Sequence, residues 1–249
     1  MAREHSILKL KGRLGEMVFY ENSEGHQVRT RGGISRDRIL NGENFVRTRE
    51  NMNEFGNINR AGKLIRKSLN EFLRQARDLR TGSRLVSLIA KVKNLDTVSV
   101  RGERTFANGF ASAAGQQILT GFDFNRHAPL DQILHKAFEL DPVGGSLTIA
   151  DFKPRSHLTV PVSATHVNIG LACVSLNAED QKFQTVYSDD APITINDIAA
   201  DLTVTLDALP SAEGVKLFCV MVEFFQEVNG ALYELKSDQM NALKIVQIE

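Results

Sequence analysis

Arg29, Arg31, Arg36, Arg38, Arg47 and Arg49 crowd one short stretch of this sequence, and Arg60, Arg66, Arg74, Arg77, Arg80 and Arg84 follow in a second. The guanidinium is a planar fork of donors that grips carboxylates and phosphates two bonds at a time. The chemistry these residues offer is recognition of anions, on nucleic acid or on an acidic protein face. The chain carries such a face itself. Residues 1–104 hold 22 Lys and Arg against 12 Asp and Glu, a balance of +10, and residues 105–249 hold 8 against 18, a balance of −10. A net charge of zero therefore hides two complementary halves. Proteins that grip single strands stack bases on aromatic side chains. Here Phe19, Tyr20 and Phe45 lie near the first cluster and there is no Trp. That favours a protein partner, with Phe19, Tyr20, Arg29, Arg31, Arg36, Arg38, Arg47, Arg49, Arg66 and Arg74 as the binding set.

Other chemistry is sparse. The sequence has no phosphate-binding glycine loop, no Gly-x-Ser-x-Gly, no His-Glu-x-x-His and no EF-hand pattern. Gly12-Arg13-Leu14-Gly15 has the bare spacing of a KH loop, but its flanks read as extended rather than helical, so it is a turn. His5, His26, His127, His135, His157 and His166 form no metal-ligand spacing. Cys173 and Cys219 each sit in an apolar, strand-like run and read as buried reduced thiols, with a disulfide between neighbouring strands as the lesser reading. Asp189, Asp190, Asn196, Asp197 and Asp201 make an acidic loop, a weak calcium candidate that reads first as solvated caps and turns. No cofactor is expected, and an enzyme ranks last because no acid, base and nucleophile converge.

The elements that position the arginines come next. Residues 7–31 read as a β-hairpin arm, with Met17-Val18-Phe19-Tyr20 as one strand, Asn22-Ser23-Glu24-Gly25 as the turn and residues 27–31 returning. A piece this small has too little core of its own and must lie on something. Over residues 48–80 the period becomes helical, with Phe55, Ile58, Gly62, Ile65, Leu69, Phe72, Ala76 and Leu79 forming a heptad seam. Asn51 and Glu54 read as its cap and Thr81-Gly82 as its stop. Ser83 opens a second helix through Leu85, Leu88, Ile89 and Val92. The seam is expected inside the protomer, against that second helix.

Residues 105–145 form a junction of low legibility, after which the period falls to two. Strands are expected at residues 147–149, 158–160, 167–173, 202–206 and 243–248. The clearest signal is a hairpin of residues 216–228 and 231–236 around Asn229-Gly230. The expected architecture is α+β. Residues 1–46 form the arm and connector, 47–104 the basic helical region and 105–145 the junction, and 146–249 form an acidic antiparallel β-sandwich.

The longest clean apolar run, residues 217–222, is far short of the roughly 20 residues of a membrane helix, and the N-terminus has no apolar core like that of a signal peptide. A cytoplasmic protein without membrane contact is expected, with signal-independent release left open. Lys11-Gly12-Arg13-Leu14-Gly15, Phe19-Tyr20, Gly32-Gly33, Arg38-Ile39, Arg47-Thr48-Arg49-Glu50-Asn51, Glu54-Phe55-Gly56 and Gly62-Lys63-Leu64 resemble a family of uncharacterised proteins from Bacteroidota. The segment Glu223-Phe224-Phe225-Gln226-Glu227-Val228-Asn229-Gly230 resembles that family's closing hairpin. The resemblance implies no activity or ligand. The expectation is a structural subunit that self-assembles, its basic half docking on the acidic half of the next copy as a homo-oligomer or filament. The alternative is a nucleic-acid-binding protein that puts the same arginines on phosphates.

Overall fold

Alternation in the N-terminal segment produces paired strands. The computed structural model describes residues 2–3, 10–30, 32–235 and 239–249, so Arg31 and residues 7–9 of the expected arm lie outside the described residues. The chain divides into two units, Met1–Arg49 and Glu50–Glu249. In the first, β1 (Ala2–Arg3), β2 (Gly12–Leu14), β3 (Met17–Asn22) and β4 (Gly25–Thr30) form an antiparallel sheet in the order β1-β4-β3-β2. The expected hairpin is its centre, closed where Asn22 pairs with Gly25, whose φ of 103° suits glycine. Helix α1 (Arg36–Asn41) starts at Ser35, whose hydroxyl accepts from the Arg38 N–H at 3.3 Å.

The second unit takes most of α2 (Val46–Ser68), then α3 (Asn70–Gln75), α4 (Thr81–Lys93), α5 (Phe106–Phe110), α6 (Ala113–Leu119) and α7 (Leu130–Ile133). Next come β5 (Glu139–Asp141), β6 (Ser146–Phe152), α8 (Pro154–His157), β7 (His166–Asn177), β8 (Lys182–Tyr187), β9 (Ile193–Thr194) and β10 (Ala200–Thr205). The chain ends with β11 (Val215–Val228), β12 (Ala231–Glu234) and β13 (Ala242–Ile248). Strands β7 and β11 pair along their length. β8 and β9 flank β7, and β12 and β13 flank β11. A smaller antiparallel sheet has the order β10-β6-β5. The fold is α+β with antiparallel sheets.

Side-chain alternation on β7 and β11 feeds two cores. Ala172, Val174, Leu217, Cys219 and Met221 pack with Ile65, Leu69, Phe72, Leu85 and Ile89 of the helices. Leu171, Cys173, Phe218, Val220 and Val222 pack with Leu147, Ile149 and Phe152 of the smaller sheet. The central sheet is thus covered by helices on one face and by a sheet on the other, which explains why β7 and β11 read as nearly unbroken apolar runs. Helical region, junction and sheets share these cores and form one unit.

The seam lies inside as expected, except at its ends, where Phe55 and Leu79 are exposed. A side chain on Gly62 would start 3.1 Å from Val86 Cγ2, so glycine sets the approach of α2 to α4. The helix expected over 48–80 is not continuous. It starts at Val46 and breaks after Ser68, whose carbonyl accepts from Thr185 Oγ1 at 2.8 Å and Tyr187 Oη at 2.9 Å. These two hydroxyls replace the intrahelical donor, so α3 can turn and set Phe72 on the sheet. The Phe72 ring lies edge-on to Tyr187 at 4.8 Å, where a side chain on Gly170 would meet it at 2.9 Å. Asn51 and Glu54 do not cap a start, because Glu54 is buried in the body of α2. Thr81 is the first residue of α4 rather than a stop. The strand expected at residues 158–160 reduces to a single bridge between Leu134 and Leu158. Asn229 and Gly230 both take positive φ, 52° and 79°, as the type I′ turn requires.

Among the described residues no helix is long and apolar enough to cross a membrane.

Candidate functional site

Where α2, α3 and α4 meet, the surface forms a groove of about 810 Å³ lined by Lys63, Arg66, Lys67, Arg74 and Arg77. The reason lies in local helical periodicity. Lys63 and Lys67 lie one turn apart on α2, Asn70 and Arg74 one turn apart on α3, and Arg77 follows α3, beside the buried Ile65, Leu69, Phe72 and Ala76. Burying the apolar stripe turns the cationic one outward. Asp78, which also lines the groove, does not neutralise it. Its buried carboxylate accepts from Arg80 N at 2.6 Å, Arg84 Nη2 at 2.6 Å and Arg126 N at 2.9 Å. Burial works to raise its pKa, but these hydrogen bonds outweigh it and hold the group below the usual carboxylate range.

The structure brings Arg66 and Arg74 together in this groove. The others belong to the first unit and do different things. Phe19 pairs with Val28 and Tyr20 with Gln27, so the two aromatics leave opposite faces of their sheet and make no common patch. Phe19 shares its face with Leu14, Met17 and Val28, of which Leu14 and Met17 are exposed. Arg29 lies over the Tyr20 ring, 5.5 Å from its centroid. Arg36 and Arg38 are exposed on α1, and Arg47 is exposed near the start of α2. Arg49 is structural: its Nη1 donates to the Ile39 and Gly42 carbonyls, both at 2.8 Å, and closes the end of α1. Arg84 is internal too, donating to the Asp123 and Phe124 carbonyls at 2.9 Å. Lys63 and Lys67, outside the arginine set, also line the groove, and their i, i+4 spacing beside the seam is the sequence signal that marks them.

The second unit is electrically polar across its central sheet. Residues 50–104, the helical side, hold 12 Lys and Arg against 6 Asp and Glu. Three of those acids, Glu54, Asp78 and Asp96, are buried, as is Lys93, and Arg84 and Arg104 are spent on Asp78 and Glu54, so the remaining lysines and arginines carry the excess. On the opposite face, residues 139–165 and 189–214, which build and connect the β10-β6-β5 sheet, hold 9 Asp and Glu against Lys153 and Arg155.

Buried ionisable groups hold the frame. Glu54 accepts from Lys93 Nζ, from Gly102 N at 2.9 Å and from Arg104 Nε at 2.9 Å. Burial alone would raise its pKa, but these donors hold it at about 2. Asp96 accepts from the backbone of Val98, Ser99 and Thr105 and is held well below the usual range against its burial. Glu223 behaves oppositely. Burial pushes it up to about 7, with Asp190 and Glu234 adding nearby negative charge against one hydrogen bond from Asn168. Cys173 and Cys219 are free and leave opposite faces of the central sheet, which excludes a bond between them. Burial raises both thiols, Cys173 to about 11.

The acidic loop does not close on itself. Asp190 accepts from Asn168, Asp197 from Ser156 and Asp201 from the Asp151 N–H. Among the described residues no three His, Cys, Asp or Glu side chains gather to hold a metal ion. Comparison with protein-family models, with curated proteins and with solved structures finds no match for this chain.

Proposed function

We propose that this protein is a structural, self-assembling subunit of the cytoplasm, in which the cationic helical face of one copy docks on the acidic sheet face of the next. The observation that carries the reading is the polarity of the second unit, with the groove of Lys63, Arg66, Lys67, Arg74 and Arg77 on one side of the central sheet and nine carboxylates on the other. Complementary faces on opposite sides of one body make a heterologous contact, and such contacts repeat into rings or filaments. We read the β10-β6-β5 sheet and the six-stranded sheet as a sandwich that keeps the two charged faces apart. The apolar face of Leu14, Met17, Phe19 and Val28 in the first unit supplies a strap for a neighbouring copy. Among the described residues of that unit no apolar side chain is buried.

Sedimentation and electron microscopy across a range of salt test the proposal. Assembly should weaken as salt rises. Arg66→Glu with Arg74→Glu should give monomers, as should Asp201→Lys with Asp207→Lys, and mixing the two variants should restore association. A wild type that stays monomeric at low salt overturns it. Co-purifying nucleic acid, shown by absorbance at 260 nm and lost steeply with salt, would put phosphate in the groove instead. That alternative is weaker because no aromatic side chain lines the groove.

A further inference from the structure

We propose that Leu79 of one copy seats in the apolar slot beside β10 of the next copy and so sets the register of the head-to-tail contact. The inference rests on the assembly proposed above and names the two ends of its interface. Leu79 lies between α3 and α4, at the edge of the cationic groove, and is fully exposed. Its neighbours force it outward. Asp78 on one side is buried under hydrogen bonds from Arg80, Arg84 and Arg126. On the other side, Thr81 is buried with its hydroxyl donating to the Phe124 carbonyl at 2.6 Å. Leu79 is thus a fixed apolar knob flanked in sequence by Arg77 and Arg80.

A lone exposed leucine is ordinary. What gives this one a meaning is its counterpart. A slot of about 440 Å³ opens between β9, β10 and α8, lined by Phe152, Pro154, Pro192, Ile193, Ile198 and Leu202. Ile198 is 72 % exposed there. Asp201 also lines the slot, and an adjoining groove that shares Ile193 and Leu202 adds Asp189 and Asp207. Lys153 and Arg155 flank Pro154 in the sequence, so this rim carries both signs, with Asp189, Asp201 and Asp207 outnumbering them. An apolar slot with that acidic excess matches an apolar knob next to arginines, the dry centre and charged rim of a specific interface. Knob and slot belong to the helical side and the sheet side of the central sheet, so a copy offers its knob to one neighbour and its slot to another.

Cysteine pairing between two differently labelled copies tests the contact. Protein carrying Leu79→Cys is mixed with protein carrying Ile198→Cys under mild oxidation, and covalent dimers are read on a non-reducing gel. The native thiols are buried and do not compete. The mixture should give several-fold more dimer than either variant alone or the wild type. Leu79→Asp and Ile198→Asp should each weaken association by about tenfold or more, the scale of a buried anchor, with unchanged melting temperature. If salt-sensitive assembly survives in both aspartate variants and the mixture does not cross-link, the knob and slot are refuted while head-to-tail docking stands. If the wild type does not assemble at all, both readings fall together.

Discussion

Asn168 faces Glu223 directly across the β7–β11 pair, and its Nδ2 donates both to Glu223 Oε1 at 3.0 Å and to Asp190 Oδ1 at 2.9 Å. One amide thus serves two carboxylates, and burial pushes Glu223 up to about 7. A carboxyl whose folded pKa lies above its ordinary 4.5 binds protons more tightly when folded. Its ionisation therefore costs stability. The cost is absent below pH 4.5, grows as pH rises and is complete above about 7. Glu223→Gln should stabilise the protein at pH 8 by roughly 2–4 kcal/mol, and the gain should vanish by pH 4.5. Denaturant titrations at several pH values check this; a gain independent of pH would show that the amide acts through packing.

Glu54 obeys the opposite sign. Its folded pKa of about 2 lies below the ordinary value, so its stabilisation is present above pH 4.5 and is lost as pH falls through 2. Glu54→Ala leaves Lys93 buried without its partner and should cost about 3–5 kcal/mol at neutral pH. Replacing Glu54 and Lys93 together with Leu and Met should recover only part of that loss in urea unfolding, because the Gly102 N–H and Arg104 still lose their acceptor.

Leu69→Ala and Phe72→Ala should each lower stability by about 2–5 kcal/mol, because both side chains fill the core between helices and sheet. Arg66→Glu and Arg74→Glu should stay within about 0.5 kcal/mol in folding. Thermal unfolding alongside sedimentation separates the pairs. Core variants that dissociate the assembly into stable monomers would place the interface on the seam.

Gly109 and Gly230 should fail for different reasons. A side chain on Gly109 would start 2.0 Å from the Val92 carbonyl oxygen, a backbone atom, so Gly109→Ala must push α4 and α5 apart and should cost about 1–3 kcal/mol or more. Gly230 has open space around it but a φ of 79°, and Gly230→Ala should cost about 1 kcal/mol from the backbone alone. Equal losses in thermal unfolding would contradict the distinction.

Both cysteines should resist alkylation at neutral pH in the folded protein and react when it is unfolded, since burial raises each thiol. Mass spectrometry after brief iodoacetamide treatment reads this directly.

Periodicity alone determined part of this protein: the strands at residues 147–149, 167–173, 202–205 and 243–248, the hairpin at Asn229-Gly230 and the buried stripe from Ile58 to Ala76. These are local facts, because helical or strand spacing decides which side chains share a face. Tertiary structure decided the rest. The helix breaks at Ser68 because Thr185 and Tyr187, more than a hundred residues away, satisfy its carbonyl. Thr81 opens a helix because Asp78 and Phe124 hold it. Arg49 and Arg84 turn inward to backbone carbonyls while Arg66 and Arg74 face the groove, although all four read alike in sequence. Opposite charges ended on opposite faces because β7 and β11 bury both sides, one under helices and one under a sheet. No spacing along the chain records which long-range partner satisfies a given polar group; only the folded packing makes that choice.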